Sequence, residues 1–150
     1  MHRAATSTQT AEEFAAEFNE LAATFGQQDW TEALEQCAPL LLEGVEKNFD
    51  TSSTSSGDAW PARKDPGPKH PLLILEGDLK VAATYGNINR VVGGDTLEVG
   101  VSKETIPYAG VHQFGSPSQN IAQREYLGIS EDVADACTEV IAGYALEALK

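Results

Sequence analysis

The chain has 150 residues, 41% hydrophobic and 22% charged, the size and balance of one globular domain with a core of its own. Twenty-three acidic against ten basic residues leave a formal net charge of −13, which argues against nucleic-acid and anionic-membrane partners, since both need clustered positive charge. No apolar run approaches the roughly 18 residues of a membrane span, and no signal-peptide core stands at the N-terminus, so a soluble protein that stays where it is made is expected.

Residues 1–9 are polar and aperiodic, and disorder is expected there. Thr10 with Glu13 forms a capping box that opens a helix. Phe14, Phe18, Leu21 and Phe25 follow on one stripe at helical spacing, and Gly26 is placed to stop the helix in a left-handed conformation. Asp29 and Glu32 supply the start of a second helix, with a stripe of Trp30, Leu34, Cys37, Leu41, Val45 and Phe49. The short connection predicts an αα-hairpin with both stripes in the core. Cys37, and Cys137 on a later helical stripe, form no CxxC pair and are expected to be buried free thiols.

Residues 50–71 read as a long loop: a hydroxylated run from Thr51 to Ser56, then Gly57, then four prolines from 61 to 71. Such a segment is expected to be mobile. The lone Trp60 within it anchors the loop either to its own domain or to a partner. The next segment reads as a helix or an extended run; Leu72, Leu75, Leu79 and Ala82 keep helical spacing, which favours the helix, with Gly77 a flaw costing about 1 kcal/mol. Residues 87–92 and 96–102 alternate around Gly93-Gly94-Asp95, the pattern of a β-hairpin.

Tyr108 to Gly115 has the look of a short helix with Tyr108, Val111 and Phe114 on one face. Residues 121–129 alternate as a strand. Ser130 then caps a last helix to about Leu149, striped by Val133, Cys137, Val140, Ile141, Tyr144 and Ala148. The order predicts an α+β fold: a small antiparallel or mixed sheet of three to four strands packed against helices, in a single domain over 1–150.

Chemistry-bearing patterns are sparse. His2, His70 and His112 have no second His or Cys at ligand spacing, so no metal site is expected. No nucleophile elbow is present. The pairs Glu12-Glu13 and Glu131-Asp132 stand in the first turns of helices, where they complement the macrodipole. Gly93-Gly94 is a hairpin turn and not a phosphate loop, because no helix follows it. His112 is read either as a subunit contact or as a side chain bonded to nearby backbone before Gly115. Arg124 has the planar fork that suits a buried or interfacial acid.

The string Tyr108-Ala109-x-x-His112-Gln113-Phe114-Gly115, followed by Arg124-x-Tyr126-Leu127-Gly128, resembles the phage virion morphogenesis (tail-completion) family. Asn48-Phe49 before Gly57 and Trp60 adds to the likeness, as does Leu72-Leu73 before Gly77-x-Leu79. Glu76, Tyr126 and Ala122-Gln123 depart from the family's usual Thr, Phe and Pro. The resemblance spans about residues 10–148. It implies a non-enzymatic virion component made in the host cytoplasm, acting in the neck or tail at tail completion or head–tail joining. Other neck or tail proteins would be its partners, with assembly as a ring and no cofactor.

Trp60, Tyr108, His112, Gln113, Phe114, Gly115, Arg124 and Tyr126 are then its structural or interface residues, and Tyr108, Phe114 and Tyr126 are expected to pack together as a hub. Two other readings remain at the level of sequence: a small enzyme using His112 with acidic partners, and an adaptor that binds a protein through the Trp60 loop. The charge balance generates one direct test. Titration with labelled duplex DNA at about 150 mM salt should show no binding at micromolar protein, and a micromolar Kd would overturn the electrostatic argument.

Overall fold

A computed structural model describes residues 10–65, 67, 69–74, 77–85 and 88–150. The disorder expected for 1–9 lies outside them. Within the described residues the elements are α1 (Ala11–Gln27), α2 (Thr31–Thr51), α3 (Asp78–Thr84), β1 (Ile88–Val92), β2 (Thr96–Gly100), α4 (Ala109–Phe114) and α5 (Glu131–Ala148). The fold is α+β, and among the described residues the sheet has two antiparallel strands where three to four were expected.

The helix starts follow the sequence closely. Thr10 Oγ1 accepts from the Glu13 N–H at 3.2 Å, and the Glu13 carboxylate accepts from the Thr10 N–H at 3.0 Å. This reciprocal pair satisfies two backbone donors that the helix leaves free. Ser130 Oγ accepts from the Val133 N–H at 3.2 Å and caps α5 in the same manner. At α2 the expected box does not form. Asp29 Oδ1 accepts from the Thr31 N–H at 2.9 Å, so the turn is held one residue early and Trp30 occupies the cap without a side-chain bond.

Helix ends and pairings differ more. Helix α1 runs through Gly26, and it stops where Gln28 turns extended with its N–H on the Phe25 carbonyl. Helix α2 packs mainly against α5, and α1 touches α5. The αα-hairpin expected of the first two helices gives way to a pairing across about a hundred residues of sequence. None of the α1 side chains is buried, so its aromatic stripe stays outside the core.

Between residues 71 and 78 the expected helix is interrupted. The Ile74 N–H closes a turn on the Pro71 carbonyl, with Leu73 at a φ of 61°. Gly77, at a φ of 88°, then serves as the cap of α3. Neither positive φ fits inside a helix, so Leu72, Leu73 and Ile74 lie in a turn against the core and α3 begins only at Asp78. Leu75 and Glu76 lie outside the described residues.

The hairpin pairs Ile88 with Gly100 and Val92 with Thr96, and both strands lie on α2. Its tip is tied to the start of α2 by the Trp30 N–H donating to the Gly94 carbonyl at 2.8 Å.

The core is centred on Phe49, Trp60 and Tyr126, with Val45, Leu79, Ala83, Ile106 and Ala109 around them. Phe49 meets Trp60 edge-on at 5.7 Å between ring centroids and Tyr126 at 5.5 Å. Cys37 is buried and Cys137 half-buried, both as free thiols. Burial, then the Cys137 neighbour, pushes the Cys37 thiol up to about 11.

The aromatic hub therefore exists with a different membership. Tyr126 is 1% exposed and belongs to it, whereas Phe114 is 75% and Tyr108 44% exposed. The small Ala109 is the α4 residue that faces inward, because it lets the Tyr126 hydroxyl reach its carbonyl at 2.9 Å. Phe49→Ala should accordingly cost about 3–5 kcal/mol, while Phe114→Ala should stay within about 0.5 kcal/mol of the parent. Denaturant unfolding of the two variants checks this, and a reversed order would contradict the packing.

Candidate functional site

Residues 121–129 were expected as a strand. They form no strand: apart from a single bridge between Ser116 and Ile121 they have no strand partner among the described residues, and the chain bends at Leu127, so that two successive N–H groups face the same side. An irregular backbone must still satisfy its N–H and C=O groups where they leave solvent. Here side chains from three other parts of the chain substitute for a neighbouring strand.

Gln113 makes the largest contribution. Its Oε1 accepts from both the Tyr126 and Leu127 N–H groups at 3.1 and 3.0 Å, and its Nε2 donates to the Leu127 carbonyl at 2.8 Å. Asn48, 4% exposed on α2, donates from Nδ2 to the Tyr126 carbonyl at 3.0 Å and to Ser55 Oγ at 2.9 Å. Trp60 Nε1 donates to the Glu125 carbonyl at 2.9 Å. One backbone bond completes the set, from the Arg124 N–H to the His112 carbonyl at 2.8 Å. The Tyr126 carbonyl is buried, and leaving it without a partner would cost about 1–3 kcal/mol.

The two glycines of the motif strings fit this arrangement. Gly115 has a φ of 74°, and a Cβ there would lie 2.9 Å from the Gln123 backbone nitrogen. A Cβ on Gly128 would meet Ser55 Oγ at 2.6 Å. Both positions let the turn after α4 and the segment before α5 approach their neighbours closely.

Trp60 is 5% exposed, so it anchors the loop to its own domain and is not presented to a partner. The described part of that loop is held along its length. The Trp60 N–H donates to the Ser52 carbonyl and the Thr54 N–H to the Asp58 carbonyl, both at 2.8 Å. Arg124 Nε and Nη2 donate to the Pro61 and Ala62 carbonyls at 2.9 and 3.1 Å. Arg124 thus grips backbone carbonyls where a carboxylate partner was expected, because the proline-rich loop presents oxygens that have no strand or helix to bind them.

Beside this brace lies a cleft of about 720 Å³, with an apolar wall that includes Leu72, Leu73 and Ile74 and a polar wall that includes Arg63, Lys64 and Arg124. Burial first, then the nearby charge of Arg63, presses the Arg124 pKa downward. The sequence reading missed the cleft. Its lining comes from residues 62–65, 70, 72–74 and 77–79 and from 108, 112, 120–122 and 124, and no single segment carries a signal for it. Asn48 was visible only as part of the family string, since nothing local distinguishes a buried Asn on a helix from an exposed one.

His112 lines the same cleft, edge-on to Tyr108 at 5.9 Å between ring centroids. Its Nδ1 is buried and has no hydrogen-bond partner among the described residues. The expected bond from its side chain to nearby backbone is therefore absent at this atom, and the residue's backbone carbonyl makes the contact to Arg124 instead. Among the described residues, no group of His, Cys, Asp and Glu is placed to hold a metal, and no helix is long and apolar enough to cross a membrane.

The geometry defines a braced structural motif in which the HQFG turn and the RxYLG segment hold one another and the Trp60 loop. The chain belongs to the phage virion morphogenesis family, whose family model matches residues 9–147. That is a family of structural proteins concerned with building the phage particle, and not an enzyme family. Searches of curated proteins and of solved structures return no significant match.

His112 gives the site a measurable pH signature. Burial, then the Arg124 charge, pushes its pKa below the ordinary 6.5. The unfolded chain therefore takes up this proton at a higher pH than the folded one, and the residue's contribution to stability falls as pH drops below about 6.5. Between about pH 7.5 and about pH 5, the melting temperature of His112→Gln should fall less than that of the parent. Equal slopes would show that His112 titrates normally.

Proposed function

We propose that the protein acts in tail completion or head–tail joining, as a ring-forming component of the virion neck or tail that binds other neck or tail proteins. The whole chain serves this role as one domain, without catalysis or cofactor. The observation that carries the reading is how the motif residues are used. Gln113, Arg124 and Tyr126 direct their polar groups to this chain's own backbone. Tyr108 and Phe114, on the same turn, are left exposed. A rigid turn that presents aromatic side chains has the composition of an interface centre, where large rigid side chains supply contact area at low entropic cost.

Charge supports the same reading. A chain of −13 arranged as a ring would repel DNA passing through its bore over a Debye length of about 8 Å at physiological salt, which favours passage over adhesion.

The test is a phage that lacks the protein, complemented from a plasmid. Without the protein, electron microscopy should show heads and tails that remain unjoined or tails that remain incomplete. The parent chain should restore infectious particles. Phe114→Asp, which alters an exposed side chain, should fold normally yet fail to restore them. Normal yields of joined particles without the protein would refute the role, and full rescue by Phe114→Asp would remove Phe114 from the interface.

A further inference from the structure

Helix α1 has no buried residue, although it carries a regular aromatic stripe. Phe14 is 61% exposed, Phe18 60% and Leu21 38%. Phe14 and Phe18 stack on each other at 6.3 Å between ring centroids. The three occupy positions i, i+4 and i+7, the anchor spacing with which an amphipathic helix enters a groove. The helix also carries four glutamates and no basic residue. At 100° per residue, Glu13, Glu17 and Glu20 fall along one edge of the stripe.

The cleft has the complementary character. Leu72, Leu73 and Ile74 give it apolar lining, and its volume is about 720 Å³. Arg63, Lys64 and Arg124 bond within the chain to the carbonyls of His70, Asn120, Pro61 and Ala62 and to the His70 ring. None of the ion pairs among the described residues includes them. With Asp65 and Asp78 also on the walls, the cleft still has more cations than anions, in a chain that is otherwise strongly acidic.

We propose that the cleft receives helix α1 of a second copy of this chain. Phe14, Phe18 and Leu21 enter against the apolar wall, and the glutamate edge faces Arg63, Lys64 and Arg124. Helix α1 contributes no residue to the cleft of its own chain, so the donor and receptor surfaces are different. Such a contact is heterologous: copies join head to tail, and they close into a ring when the rotation allows. The inference rests on the oligomeric reading of the proposed function and supplies the contact that would build it.

The experiment is sedimentation velocity on the full chain and two variants. Phe14→Ser/Phe18→Ser removes the donor face and leaves the cleft. Arg63→Glu/Lys64→Glu reverses the cleft charge and leaves α1. Circular dichroism melts check that both remain folded. The parent should sediment as an oligomer and each variant alone as a monomer. An equimolar mixture of the two variants should form a dimer, because the intact α1 of one can still occupy the intact cleft of the other.

A mixture that stays monomeric overturns the head-to-tail contact. A parent oligomer that both variants retain overturns it too, while leaving the ring reading standing on some other surface. A parent that is monomeric at every concentration overturns the second copy as occupant. If the cleft variant then also fails in the complementation assay, the occupant is an acidic helix of another virion protein.

Discussion

The structure depends on one substitution of side chains for backbone. The irregular stretch around Tyr126 enters the core with no strand beside it among the described residues. Gln113, Asn48 and Trp60 supply the donors and acceptors that a β-ladder would have supplied. Because these three come from α4, α2 and the proline-rich loop, the stretch joins parts of the chain that are otherwise distant. A sheet neighbour would have held one segment to one other, whereas this arrangement holds one segment to three.

Much of the remaining architecture follows from that constraint. Tyr126 must be buried for its backbone to lie within reach of Asn48, and it then packs on Phe49, which in turn packs on Trp60. Burial of the Tyr126 ring pushes its phenol up to about 12, and the hydroxyl remains a donor to the Ala109 carbonyl. The same geometry turns α4 so that Ala109 faces inward and Phe114 outward. Arg124, two residues before Tyr126, is placed over the Pro61 and Ala62 carbonyls and holds the loop that forms one wall of the cleft. The core, the exposed aromatics and the cleft are thus consequences of a single stretch.

The functional reading has the same physical basis. A protein that assembles into a particle needs rigid surfaces, and rigidity here comes from saturating the polar groups of the motif internally. What is left on the surface is apolar or charged: aromatics on α1 and α4, glutamates on α1, and cations around the cleft.

Local features were legible in the amino-acid sequence alone. The capping box at Thr10, the cap at Ser130, the hairpin around Gly93-Gly94-Asp95 and the short helix before Gly115 are set by neighbours a few residues apart, and each formed where expected. The motif strings likewise identified the family, because order and spacing survive in a linear sequence.

Tertiary structure alone decided which apolar stripes were buried, and it did so by competition. Phe14, Phe18 and Phe114 have the same periodic credentials as Val45 and Phe49. The space at the centre is filled by Phe49, Trp60 and Tyr126, which arrive from segments separated by up to 77 residues. It also decided that residues 121–129 would not become a strand, and that the chain would bend at Leu127. Alternation specifies the pleat of a chain, but whether its hydrogen bonds go to another strand or to a glutamine, an asparagine and a tryptophan depends on what the rest of the fold brings alongside.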